Sequence, residues 1–190
     1  MVGIPSPFDR GGDAFDTYDE FAPDHLPRPG PFLTGHLLLT GTRHAAFHRL
    51  TRDLFEKRGV YDVTFGYNLA RLNLDHNHES AGFRYAVDAE DSTVLRAEFT
   101  PTTEFCPQAK TLAIAALRAW NGERERHEYE LVRVRIADMH HQSAASNEQL
   151  AQLEEQVLET GEVPQSLESE GTHEDEPSGQ AGLDQSETPF

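Results

Sequence analysis

The chain holds one cysteine, Cys106, and the residues around it are the types and spacing most suited to chemistry. Leu95, Ala97 and Phe99 alternate with Arg96, Glu98 and Thr100, the period-two pattern of a half-buried strand. A polar turn, Pro101-Thr102-Thr103-Glu104, leads into Phe105-Cys106-Pro107. Beyond it Ala109, Leu112, Ala113, Ala116, Leu117 and Trp120 recur at helical spacing as one apolar stripe. Pro107 suits a first helical position, where its missing N–H leaves no bond unmade. This predicts Cys106 at or beside the helix N-cap, where the amides and the helix dipole favour a thiolate. A thiolate so placed is a nucleophile or a metal ligand. The plain alternative is that a lone cysteine packs as a small apolar side chain.

Histidines offer the second chemistry. His44 and His48 stand four apart on one helix face, His76 and His78 flank one residue in a loop, and His140 and His141 follow a strand. Imidazole with one thiolate suits zinc or iron. The segment His44-Ala45-Ala46-Phe47-His48 lacks the glutamate of a zinc-protease helix, and no glycine-rich phosphate loop is present.

The elements that must position these groups are legible in part. Thr42 to Arg58 presents Phe47, Leu50 and Leu54 on one face and closes at Gly59, a helix. Ala70, Leu72 and Leu74 alternate with Arg71 and Asn73, predicting a strand that ends near Asp75. Gly82 to Val87 and residues 93–100 read as a hairpin around the turn Asp88–Ser92. The helix after Cys106 stops at Asn121-Gly122, Val132, Val134 and Ile136 mark another strand, and a last helix runs from about Ser146 to Leu158, capped by Ser146 or Asn147. The order α-β-β-β-α-β-α predicts an α+β fold, a small mixed sheet with helices packed on one face.

Residues 1–34 carry six prolines and no sustained periodicity, and are expected to be a poorly ordered acidic arm. Residues 35–160 form the expected single domain, and 161–190, acidic with no Lys or Arg, an expected disordered tail. The net charge is -17, with Lys57 and Lys110 the only lysines. That composition is similar to proteins of organisms that keep molar salt in the cytoplasm, where salt screens self-repulsion. It argues against nucleic-acid binding, which needs a basic stripe. The start lacks the basic and apolar regions of a signal peptide, and Leu37-Leu38-Leu39 is far too short to span a bilayer, so a cytoplasmic protein with no membrane partner is expected.

In order, the hairpin, threonine-rich turn, Cys-Pro, helix, strand and last helix resemble the metal–sulfur cluster assembly domain family (PaaD-like and SufT-like). The residues that carry this are Gly82-Phe83-Arg84-Tyr85, Phe99-Thr100, Cys106-Pro107, and Val132 to Ile136 followed by Ala137-Asp138-Met139-His140-His141. The family's upstream Asp-Pro-Glu motif is absent, and Asp75-His76-Asn77-His78-Glu79 occupies that stretch. The resemblance implies a non-enzymatic accessory protein that matures iron–sulfur clusters in client or assembly proteins. Cys106 would be the metal contact and His140 or His141 further ligands, with Thr100, Thr102, Thr103, Pro107 and Gly82 shaping the turn. The cofactor would be iron or a transient iron–sulfur cluster, with zinc as the alternative. One thiol cannot hold a four-thiolate cluster, so a homodimer or a client must supply the rest. Two other readings stand beside it: an interaction module with a structural cysteine, and a small histidine-metal enzyme. Reconstitution with iron and sulfide tests the assembly expectation: cluster absorption should appear with the wild type and vanish with Cys106→Ala.

Overall fold

A computed structural model describes residues 14–164. Its strands and helices are β1 (Leu37–Leu38), α1 (Gly41–Arg58), β2 (Tyr61–Asp62), β3 (Tyr67–Asn68), β4 (Gly82–Val87), β5 (Val94–Thr100), α2 (Ala109–Gly122), β6 (Leu131–Ile136) and α3 (Ser143–Thr160). Four strands form one sheet in the order β1-β4-β5-β6, and β2 and β3 make a separate short ribbon. The hairpin β4–β5 is antiparallel, and β5 pairs with β6 in parallel across the α2 crossover. This is the expected α+β architecture. No helix among the described residues is long and apolar enough to cross a membrane.

Alternation sorts the sheet into two faces. Phe83, Tyr85, Leu95, Ala97, Phe99, Val132, Val134 and Ile136 share one core with Leu54 and Phe55 of α1, Leu117 and Trp120 of α2, and Leu150 and Leu153 of α3. Trp120 and Tyr85 are its largest fully buried side chains. Truncating either would remove roughly 3–5 kcal/mol of burial and packing. The opposite face carries Arg84, Glu98 and Arg135 in one register row.

That polar face is covered by the arm, which corrects the expectation of a poorly ordered N-terminus over residues 14–34. Leu26 and Leu33 are buried, Phe32 lies under the guanidinium groups of Arg96 and Arg135, and Arg96 donates to Asp88 at 2.6 Å and to the Phe32 carbonyl at 3.2 Å. The arm has no periodicity because it is laid as irregular chain over a polar surface, held by single anchors. Residues 1–13 and 165–190, which include nearly all of the expected tail, lie outside the described residues.

Two further expectations are corrected. Leu69–Leu74 is a tight 3-10 turn rather than a strand, because Asn68 accepts from the Ala70 amide and starts it. Asn73 then pairs with both the amide and the carbonyl of Phe83, at 2.6 and 2.8 Å, where a neighbouring strand would have bonded. The last helix begins three residues earlier than expected, so Asn147 is no cap. Its amide pairs instead with both backbone groups of Ile136 on the outer edge of β6.

The first helix turns His44 and His48 inward. His48 donates from Nε2 to the Ala70 carbonyl at 2.7 Å, so its Nδ1 is the acceptor for the Tyr85 hydroxyl, also at 2.7 Å. His44 stacks on His48 and meets Phe21 edge to face. Burial pushes the pKa down to about 3 for His44 and about 4 for His48, from an ordinary 6.5. Both side chains therefore fold neutral and charge more readily when unfolded. Stability should be complete above pH 6.5 and fall as pH drops through the lowered folded values. Urea unfolding at neutral and acid pH checks this, with His44→Phe expected to reduce the acid loss.

Candidate functional site

Two backbone bonds bring the arm to the loop ahead of β4: Asp16 N to the Leu74 carbonyl at 2.9 Å, and His76 N to the Ala14 carbonyl at 3.0 Å. Phe15 bridges to Asp75 there, with the Arg71 guanidinium 3.8 Å over the Phe15 ring. A third bond, Ser80 N to the His25 carbonyl, ties the next part of the arm to the same loop. These anchors converge three side chains. Asp16 accepts from His25 Nδ1 at 2.8 Å and from His76 Nε2 at 2.7 Å, and the two rings lie 4.8 Å apart. One ligating atom from each of Asp16, His25 and His76 falls within 4.8 Å of the others.

Burial opposes the charge on Asp16, but the bonds from His25 and His76 outweigh it and hold the carboxyl below its ordinary pKa. The hydrogen bond to Asp16 holds His25 above its own ordinary value. Glu79 Oε1 stands 3.7 Å from the far nitrogen of His25. Beside this triad, the buried Asp75 accepts from the Tyr67 hydroxyl at 2.9 Å, from His78 Nδ1 at 3.0 Å and from the Asn77 amide at 2.9 Å. Asp75 is thereby committed to bracing the loop that carries His76.

An open cleft of about 450 Å³ adjoins the loop. It lies over the polar sheet face, between Pro27–Pro31 of the arm, His78–Ala81, the turn after β5 and the exit of β6. Thr100 and Thr102 are in its wall.

Around Cys106 the structure departs from the expected ligand set. The helix α2 opens at Ala109 after Gln108, so Pro107 lies outside it and Cys106 is not its N-cap. The Cys106 carbonyl takes an early turn bond from Ala109 N, and Gln108 spends its side chain on Thr64. Cys106 is half-buried and packs against the core. His140 and His141 do reach this loop, but as braces. His140 donates from Nε2 to the Cys106 carbonyl at 2.9 Å, and its Nδ1 accepts from Gln142 N. His141 Nδ1 donates to the Glu104 carbonyl at 2.7 Å. Thr103 contributes its carbonyl to the Cys106 amide, and its side chain is exposed. With one thiol and both His140 nitrogens engaged, the donors here do not fit an iron–sulfur cluster, and the converging metal-type group among the described residues excludes Cys106.

Gly82 has a stricter role than shaping a turn. Its φ is +113°, and a Cβ there would sit 2.1 Å from Asn73 Oδ1, the atom that receives the Phe83 amide. Asp16 and His25 were not legible as site residues in the sequence. Their spacing matches no motif, and the arm's signal in the sequence is its scattered aromatic residues, Phe8, Phe15, Tyr18, Phe21 and Phe32, which could pin it to the body.

An α+β domain whose polar sheet face is roofed by its own N-terminal arm, with a histidine–carboxylate group at the seam, is the class these observations define. The chain belongs to the family described as Domain of unknown function (DUF7998), which matches residues 13–164. The match takes in the arm, so Asp16 and His25 fall inside the family's domain. No curated protein matches the chain. Gly82→Ala should lower stability by roughly 3 kcal/mol or more through backbone strain and loss of the Asn73 clamp. Denaturant unfolding measures this, and Thr103→Ala should stay within about 0.5 kcal/mol of the wild type.

Proposed function

We propose that this domain is a small histidine-metal protein that binds one divalent transition-metal ion through Asp16, His25 and His76. The observation that carries the reading is their convergence, from the arm and from the loop ahead of β4, to within 4.8 Å of one another. Two imidazoles and a carboxylate are the donors of open zinc sites, and a metal-bound water there is a nucleophile at neutral pH. An ion would take the place of the two protons that now join the rings to Asp16. Glu79 Oε1 stands 3.7 Å from the far nitrogen of His25, a small side-chain shift from the orienting contact that metal-bound histidines use. His76 is 38% exposed, which leaves room for a fourth ligand from solvent.

This reading is preferred to cluster assembly on Cys106 because it needs no donor from a second protein chain. The acidic, lysine-poor composition supports placing it in a salt-rich cytoplasm, where bulk electrostatics are screened and a directly coordinated ion is not.

Equilibrium dialysis with Zn²⁺, and visible absorption with Co²⁺, test the proposal. One ion per chain should bind, with an oxygen–nitrogen type Co²⁺ spectrum. His76→Ala and Asp16→Asn should each weaken binding by about tenfold or more. Cys106→Ala should leave it unchanged. Loss of binding in Cys106→Ala, or equal binding in His76→Ala, would sink the proposal.

A further inference from the structure

Glu98 is a carboxylate in an unusual position. It projects from the middle of β5 into the floor of the cleft and is only 3% exposed. Its Oε1 accepts from the Gly30 amide at 2.6 Å, and no donor among the described residues bonds Oε2. An arginine stands on each side of it in the register, Arg84 on β4 and Arg135 on β6, yet neither pairs with it. Arg135 forks onto Glu154 of α3, and Arg84 makes no ion pair among the described residues, its buried Nε lacking a hydrogen-bond partner. Burial raises the Glu98 pKa, the Gly30 amide opposes the shift and the nearby Asp138 adds to it.

A buried carboxyl with an open oxygen and no counter-charge is costly unless something arrives to pair with it. The cleft is shaped for such an arrival. Its charged lining is Glu79, Glu98 and Asp138 against Arg28, so its field attracts cations. Between these groups and the hydroxyls of Ser80, Thr100 and Thr102, apolar wall is supplied by Pro27, Pro31, Pro101, Ala137 and Met139. An inorganic ion would leave those walls wet, whereas an apolar body would cover them. Gly30 makes the approach possible, since a Cβ there would lie 2.7 Å from Glu98 Oε2.

We propose that the cleft binds a small organic cation, a primary amine or guanidinium on an apolar body, with Glu98 as the anchor of the charged head. The head pairs with Oε2 at the floor, and the body lies against the proline and alanine walls. Met139, at the rim and 44% exposed, closes over the far end. The site uses none of Asp16, His25 and His76; it shares with the metal group only Glu79, which lines the cleft and stands beside His25.

The test is titration of the full chain with benzylamine, n-butylguanidinium and the neutral benzyl alcohol, followed by calorimetry and amide NMR shifts. It is run with EDTA in roughly 1 M KCl, where the Debye length is about 3 Å and loose attraction to the acidic surface is suppressed. Saturable binding of both cations is expected, at least about tenfold tighter than the alcohol, with shifts at Gly30, Glu98 and Asp138. Glu98→Gln, which keeps an acceptor for the Gly30 amide, should abolish the preference for cations. Met139→Trp should block the cleft without touching the floor, and it keeps the test decisive should Glu98→Gln fail to fold. Binding of cations and alcohol alike, cation binding unchanged in either variant, or no saturable binding overturns the proposal.

Discussion

Side chains finish the backbone pairing of this sheet where strands run out, and the rest of the structure hangs on that. Along the outer edge of β6, Asn121 bonds both groups of Val132, Glu154 receives the Val134 amide, the Arg135 guanidinium donates to the Val134 carbonyl, and Asn147 bonds both groups of Ile136. On the other edge, Asn73 does the same for Phe83, and Leu39 donates to the Tyr85 carbonyl just past the end of β1. A buried amide or carbonyl left open costs about 1–3 kcal/mol. An unpaired edge also invites pairing with another chain. Helices α2 and α3 and the tight turn at Leu69–Leu74 are therefore held to the sheet by bonds as well as by apolar packing.

Those clamps decide where the polar groups go. With α1, α2 and α3 committed to the apolar face and the β6 edge, the polar face has only the arm to cover it. The arm answers with backbone amides and aromatic rings instead of a regular element: Gly30 N on Glu98, and Phe32 beneath Arg96 and Arg135. Its incomplete cover leaves the cleft, and its first anchor, at Phe15 and Asp75, sets Asp16 between His25 and His76.

The histidines show how one residue type takes different tasks. His48 and His44 are neutral core side chains, His140 and His141 brace a loop by donating to carbonyls, and His78 locks Asp75. Among the described residues, only His25 and His76 share a single carboxylate between them. Environment, not the residue, separates a ligand set from a strut.

Periodicity in the sequence by itself determined the elements whose apolar faces enter the core: α1, the β4–β5 hairpin, α2, β6 and the body of α3. Burial of a side-chain stripe leaves a local pattern that can be read without knowing the partner. The strand expected at 70–74 failed because alternation cannot tell a half-buried strand from a tight turn whose backbone is satisfied by asparagine. Cys106 followed the same rule, its Pro107 suggesting a cap that an early turn displaced by two residues. The folded arrangement alone brought together Asp16, His25 and His76, left Glu98 between two arginines that do not pair with it, and laid the arm over the sheet. Each depends on hydrogen bonds between residues far apart in the chain, and such bonds impose no spacing on either partner.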